Sequence, residues 1–149
     1  MREILSKLSF LFAVVLLCLT AGCGGLTGNK SIQQPSVCQL AKSSVSWDGA
    51  LLPAYPKGQP EITILRIVIP PGGTLVKHKH PVINAGVLTK GKLMVQTEDG
   101  KTLHLRAGEG IVEVVNTLHY GKNEGEEPVE ITVFYAGSKD EPITVYKPD

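Results

Sequence analysis

The chain has 149 residues, with 15 lysines and arginines against 14 aspartates and glutamates. That length suits one domain and is too short for two of ordinary size. The near-neutral charge excludes the basic footprint of a nucleic-acid-binding protein and a polybasic membrane patch. Three cysteines do not make a disulfide framework.

The first 22 residues read as a signal rather than as fold. Arg2 and Lys7 make a basic start, Leu8 to Thr20 is an apolar run, and the small residues Ala21 and Gly22 precede Cys23. That layout belongs to a secretory signal peptide, and its apolar run is too short to span a bilayer. Leu19-Thr20-Ala21-Gly22-Cys23 resembles the lipobox of bacterial lipoproteins, although Thr20 stands where such motifs favour leucine. The resemblance implies cleavage before Cys23 and a diacylglyceryl group on its sulfur. The implied location is an exported protein, lipid-anchored and facing the periplasm or the cell exterior. Losing residues 1–22 removes two basic residues and one acidic residue, which leaves thirteen of each sign. Membrane attachment then rests on the lipid alone. Residues 23–35 (Gly24 to Pro35 reads GGLTGNKSIQQP) are expected to be a flexible tether, and residues 36–149 one domain.

With Cys18 in the signal and Cys23 acylated, Cys38 is the remaining thiol. In Val37-Cys38-Gln39-Leu40 it is expected to be a small buried residue at the start of a strand. Further on, short β-type runs alternate with glycine and proline. Glu61 to Ile69 is apolar on both faces, the pattern of a strand inside a sandwich. Pro70-Pro71-Gly72-Gly73 ends it. Leu93 to Thr97, Thr102 to Arg106 and Ile111 to Val115 follow, separated by Glu98-Asp99-Gly100 and Ala107-Gly108-Glu109-Gly110 turns. In Val129 to Tyr135 the residues Val129, Ile131, Val133 and Tyr135 share one face. No helical period of any length is present. About ten short strands at this spacing predict an all-β antiparallel sandwich or barrel.

The chemistry concentrates on histidine. His78 and His80, two residues apart on a strand, point to the same face. His119 arrives from a second glycine-punctuated segment, and three imidazoles could close around one divalent transition metal: Fe, Mn, Zn, Ni or Cu. The fourth histidine, His104, alternates with Leu103 and Leu105 and is expected at the surface. Trp47, Tyr55 and Tyr120 are expected to pack in the core or at a rim, and Glu124 to Glu127 to form a solvated loop.

Gly72-x5-His78-x-His80-x3-Asn84-x6-Gly91 resembles the first motif of the cupin superfamily. Gly108-x5-Val114-x-Asn116-x2-His119-x3-Asn123 resembles the second. Asn84 replaces the motif's glutamate, Val114 its proline and Asn116 its glycine. The resemblance spans about Glu61 to Gly137. Together with SWDG (Ser46 to Gly49), HPVINAG (His80 to Gly86), EVVN (Glu113 to Asn116) and VFYAG (Val133 to Gly137), it extends to a group of exported single-domain cupins. It implies a single jelly-roll β-barrel with a metal in its mouth, held by His78, His80 and His119. At Asn84 a weaker carboxamide ligand would replace the carboxylate. Asn123 is expected to serve the barrel's own hydrogen bonds.

Glu113 interrupts the apolar run Ile111-Val112-Glu113-Val114-Val115. It is expected to face the interior, to restore the missing carboxylate and to act as general base. The function implied is action on a small organic molecule at a three-histidine centre, in the manner of a dioxygenase or lyase. The alternative is a non-catalytic module that holds a small ligand or a metal at the cell envelope. The fold does not choose between them, because cupins host many activities. The partners implied are a small molecule and a membrane reached through the lipid; a homodimer is left open.

Overall fold

The computed structural model describes residues 34–148. The expected signal peptide, Cys23 and most of the tether therefore lie outside the described residues. Among the described residues there is no helix. Nine strands run in the order β1 (Pro60–Ile69), β2 (His78–Lys79), β3 (Ile83–Lys90), β4 (Lys92–Thr97), β5 (Thr102–Arg106), β6 (Gly110–Val112), β7 (His119–Lys122), β8 (Val129–Ser138) and β9 (Val145–Tyr146). They form two antiparallel sheets with strand orders β1-β8-β3-β6 and β5-β4-β7-β2-β9. The all-β jelly-roll expectation is met.

Alternation decides what lies between the sheets. On β8, Val129, Ile131, Val133 and Tyr135 are all buried. Their partners on β3 include Leu88, Gly86 and Asn84, and directly opposed antiparallel residues share a face. Leu93, Val95 and Leu105 supply the apolar side of the other sheet. This core carries the folding free energy, at roughly 25 cal/mol per Å² of apolar surface removed from water.

Three local expectations are corrected. β1 is not an interior strand. It lies at the edge of its sheet, and Ile62, Ile64 and Val68 on its outer face are 51–61% exposed. Its apolar residues run onto both faces, but only the inner one meets the core. Val37 to Leu40 forms no strand, and Cys38 is exposed. A run of four residues without a neighbouring strand to pair with has nothing to bury its thiol against. The third correction is that β6 stops at Val112. The chain then leaves its sheet, so Glu113 and Val114 are both buried and Val115 bridges in parallel to His80. Before β1, Ser46 to Gly49 folds into a turn, and the Trp47 backbone N–H donates to Val112 O at 2.9 Å, covering the end of β6.

Two turns show why particular residues stand at motif positions. Gly91 joins β3 to β4 with φ +81, and a Cβ there would lie 2.9 Å from Val129 Cγ2. Asn116, where the motif has glycine, has φ 55, the left-handed region in which asparagine is the best-tolerated substitute. Its N–H donates to His80 O at 2.8 Å. The turn therefore ties the segment leading to His119 onto His80, just past β2. Asn116→Gly should leave stability nearly unchanged, whereas Asn116→Val should cost about 1–3 kcal/mol. Urea unfolding of the two variants checks this; equal stability would contradict it.

Candidate metal centre

Two facing rows of side chains build the site. On one sheet the register places Tyr146 beside His78, His78 beside His119, and His119 beside Thr97. On the other it places Thr63 beside Tyr135 and Tyr135 beside Asn84. The Ala85↔Val112 pairing continues one residue further, where Glu113 N donates to Asn84 O at 3.1 Å. Glu113 and Asn84 thus stand directly opposite each other. His80, just past β2, completes the histidine group.

The three rings are buried, at 8% exposure for His78, 4% for His80 and 3% for His119. Their centroids are 4.6–5.0 Å apart, and one ligand atom from each falls within 4.8 Å of the other two. Each Nδ1 lies against a backbone carbonyl: His78 on Val76 O at 2.7 Å, His80 on Ile143 O at 2.8 Å and His119 on Thr117 O at 2.9 Å. A carbonyl only accepts, so each Nδ1 carries the proton and donates it. Each Nε2 therefore keeps a free lone pair, and that carbonyl partnership is what orients metal-ligating histidines. Two of the carbonyls belong to residues two positions before the ring they hold. The third comes from the C-terminal segment, where Thr144 Oγ1 also lies 3.3 Å from His80 Nδ1.

Burial sets the electrostatics. It holds the His78 and His119 imidazoles below their ordinary value and takes His80 down to about 4, against the opposing pull of each carbonyl. The rings are thus neutral and fit to donate lone pairs. Glu113 is buried, with Oε2 at 3.8 Å from His119 Nε2, too far for a hydrogen bond. Desolvation pushes its carboxyl up to about 7. The Trp47 indole is close enough to oppose that rise, but its N–H does not reach hydrogen-bond geometry; Trp47 Nε1, Glu113 Oε2 and Asn84 Oδ1 all lack partners. Tyr135, 5.2 Å from His80 ring to ring, is pushed up to about 12 by burial and then by the Glu113 and Tyr146 charges.

Among the described residues His78, His80 and His119 form the one group of three or more histidines, cysteines and carboxylates close enough to hold a metal ion. Borderline imidazole nitrogens suit divalent transition metals, and the orphaned Glu113 Oε2 on the same small space fits a site that takes a cation. The residues fit a metal. Asn84 is buried at 1% exposure and donates Nδ2 to Val82 O at 3.3 Å. It lies in the interior row but does not line the small space bounded by the three histidines and Glu113. His104 is exposed, Tyr55 is exposed, Trp47 and Tyr120 are half-buried, and 124–127 is an exposed loop. Asn123 is fully buried, donating to Ile69 O and Glu127 O and accepting from Gly125 N.

Sequence reasoning missed the residues that orient the rings. Ile143 and Thr144 lie outside both motifs, and a backbone carbonyl leaves no compositional signal. Tyr135 was recognised only as a face-sharing core residue.

Residues 65–135 match the family Cupin_2, Cupin domain. Among curated proteins no sequence match is found. Similar solved structures include an uncharacterized conserved protein with a double-stranded beta-helix domain from Klebsiella pneumoniae. It shares 19% identity and a TM-score of 0.50, over 63% of this chain and 89% of that one. The DMSP lyase DddQ from Ruegeria pomeroyi shares 16% identity and a TM-score of 0.51, over 58% of this chain and 43% of its own, so less than half of that protein is matched. A cupin-like protein from Thermotoga maritima shares 16% identity and a TM-score of 0.50, over 59% and 65%. At these identities the structures establish the fold. Residues 65–135 thus carry a match to the cupin domain, and the solved structures agree with it in fold.

A pH effect follows from Glu113 in the metal-free protein. Its folded pKa of about 7 lies above the ordinary 4.5, so its contribution to stability is full below 4.5 and is lost as pH rises through about 7. The histidines, with lowered folded values, run the other way and to first order cancel between two variants. Glu113→Gln should therefore gain on the wild type between about pH 5 and pH 7.5 in metal-free thermal melts. A constant difference in melting temperature would contradict the buried, uncompensated carboxyl.

Proposed function

We propose that this chain is a metal-dependent cupin that acts on a small organic molecule at the centre formed by His78, His80 and His119, and that it works at the cell envelope, held there through Cys23. The observation that carries the reading is the trio of Nδ1–carbonyl bonds, which leaves three Nε2 lone pairs free around one small interior space. A divalent transition metal there would supply Lewis acidity and acidify bound water. The chain's residues supply the rest. The histidines would hold the ion; Asn84 does not line the space they bound, so a fourth oxygen would come from Glu113, water or substrate. Glu113 Oε2, poised near neutrality and unpaired, is the group to take up a proton from substrate or water. The apolar walls exclude bulk water and keep these charges strong.

Glu113 favours catalysis over passive ligand holding. A buried carboxyl with one oxygen left unpaired costs free energy, and a site that merely stored a molecule would give it no task. Strongly perturbed acids of this kind gather at reactive sites.

Elemental analysis of protein purified from its native compartment tests the centre. One transition-metal ion per chain is expected, retained in His104→Ala and largely lost in His80→Ala and His119→Ala. Full occupancy after either triad substitution would overturn the ligand assignment.

The anchor is tested separately. A single acyl chain holds a protein only marginally, so two or three chains on Cys23 are expected to give stable attachment. Cys23→Ser should move the protein out of the membrane fraction and lower its mass by the lipid. An unaltered mass and location would contradict lipidation.

A further inference from the structure

Two spaces meet at the histidines, and they differ in size and lining. The inner one, about 40 Å³, is bounded by all three histidines and Glu113. It has room for an ion and a water or two, but not for an organic molecule. The outer one, about 390 Å³, opens between β1, the segment before β2 and the C-terminal strand, a volume within the range of small-molecule sites. His78, His80, Tyr135, Ile67 and Leu75 border both.

The outer wall carries no charged side chain. Leu65, Ile67, Leu75, Val76 and Tyr146 form most of it, and Thr74 and Thr144 add hydroxyls. Strand alternation explains this. His78 and His80 turn inward, so Lys77 and Lys79 point to other grooves. A roomier groove of about 770 Å³ lies on the other side of β9. It touches none of the three histidines and is crossed by the Lys147–Glu98 pair, so it is not the approach to the centre. Behind the histidines the only ionisable wall group besides Tyr135 is Glu113, whose negative form repels anions.

We infer that the molecule taken at this site is uncharged along its body and largely apolar, with one polar head that reaches the centre between His78 and His80. This rests on the metal reading above and names the substrate class for it. Substrates with a second carboxylate or phosphate away from the reacting head are excluded, because no side chain in the outer space could pair with that charge. Leu65, Ile67, Leu75 and Tyr146 set the specificity.

The test uses the full chain loaded with cobalt(II), its cobalt content measured in the same sample. Three probes share a chelating head: acetohydroxamate, hexanohydroxamate, and adipic acid monohydroxamate with a charged tail end. Each methylene buried against the wall is worth about fourfold in affinity. Hexanohydroxamate should therefore bind at least roughly tenfold tighter than acetohydroxamate, and the charged-tail probe clearly weaker than hexanohydroxamate. Leu65→Lys should narrow or reverse that last preference. Equal affinity for the short and long probes, or tightest binding of the charged tail by the native chain, overturns the apolar-wall assignment and leaves the metal reading standing. Absence of cobalt from the sample removes the metal reading instead. The wall is then read on metal-free protein from the methyl NMR signals of Ile67 and Leu75 on adding hexan-1-ol. Saturable shifts are expected, and unmoved signals overturn the inference.

Discussion

The structure turns on three imidazole N–H groups that donate to backbone carbonyls. Burying three histidines in a small barrel costs desolvation, and the depressed His78, His80 and His119 values record that cost. The carbonyls of Val76, Ile143 and Thr117 offset part of it. They also fix one tautomer for all three rings, which leaves the Nε2 atoms free. The interior also keeps two polar side-chain oxygens, Glu113 Oε2 and Asn84 Oδ1, without a partner. A barrel selected for stability alone would have filled this region with aliphatic side chains.

The Asn84 substitution gains a physical account from the sheet register. Glu113 lies opposite Asn84 across the β3–β6 pairing, on the same interior face. A carboxylate thus stands opposite the position where the cupin motif has glutamate. Glu113 reaches the interior by strand alternation, two residues beyond the buried Ile111 and opposite the buried Asn84. The change has a chemical consequence. At 3.8 Å from His119 Nε2 and with its pKa raised by burial, Glu113 would, on the proposed reading, serve proton transfer rather than permanent charge compensation.

Much of this was legible in the residues. The i, i+2 spacing of His78 and His80 required a shared strand face, and the structure brings His119 in register beside His78. Alternation along Val129 to Tyr135 marked the buried face of β8. The surface place of His104 followed from the same rule. What failed did so for identifiable reasons. The two-sided apolarity of Glu61 to Ile69 cannot distinguish an interior strand from an edge strand with an apolar outer face, because pairing partners are set by topology. Cys38 was placed in a strand on four residues, too few for periodicity to decide. The orienting carbonyl of Ile143 could not be foreseen, since it depends on where β9 returns across β2.

X-ray absorption at the edge of the bound metal, measured on wild-type protein from its native compartment, tests the central claim most directly. Three imidazole nitrogens at about 2.0–2.2 Å, a shell completed by oxygen, and the outer-shell scattering that imidazole rings give are expected. A first shell containing sulfur, a shell of oxygens alone, or protein that carries no transition metal would contradict it.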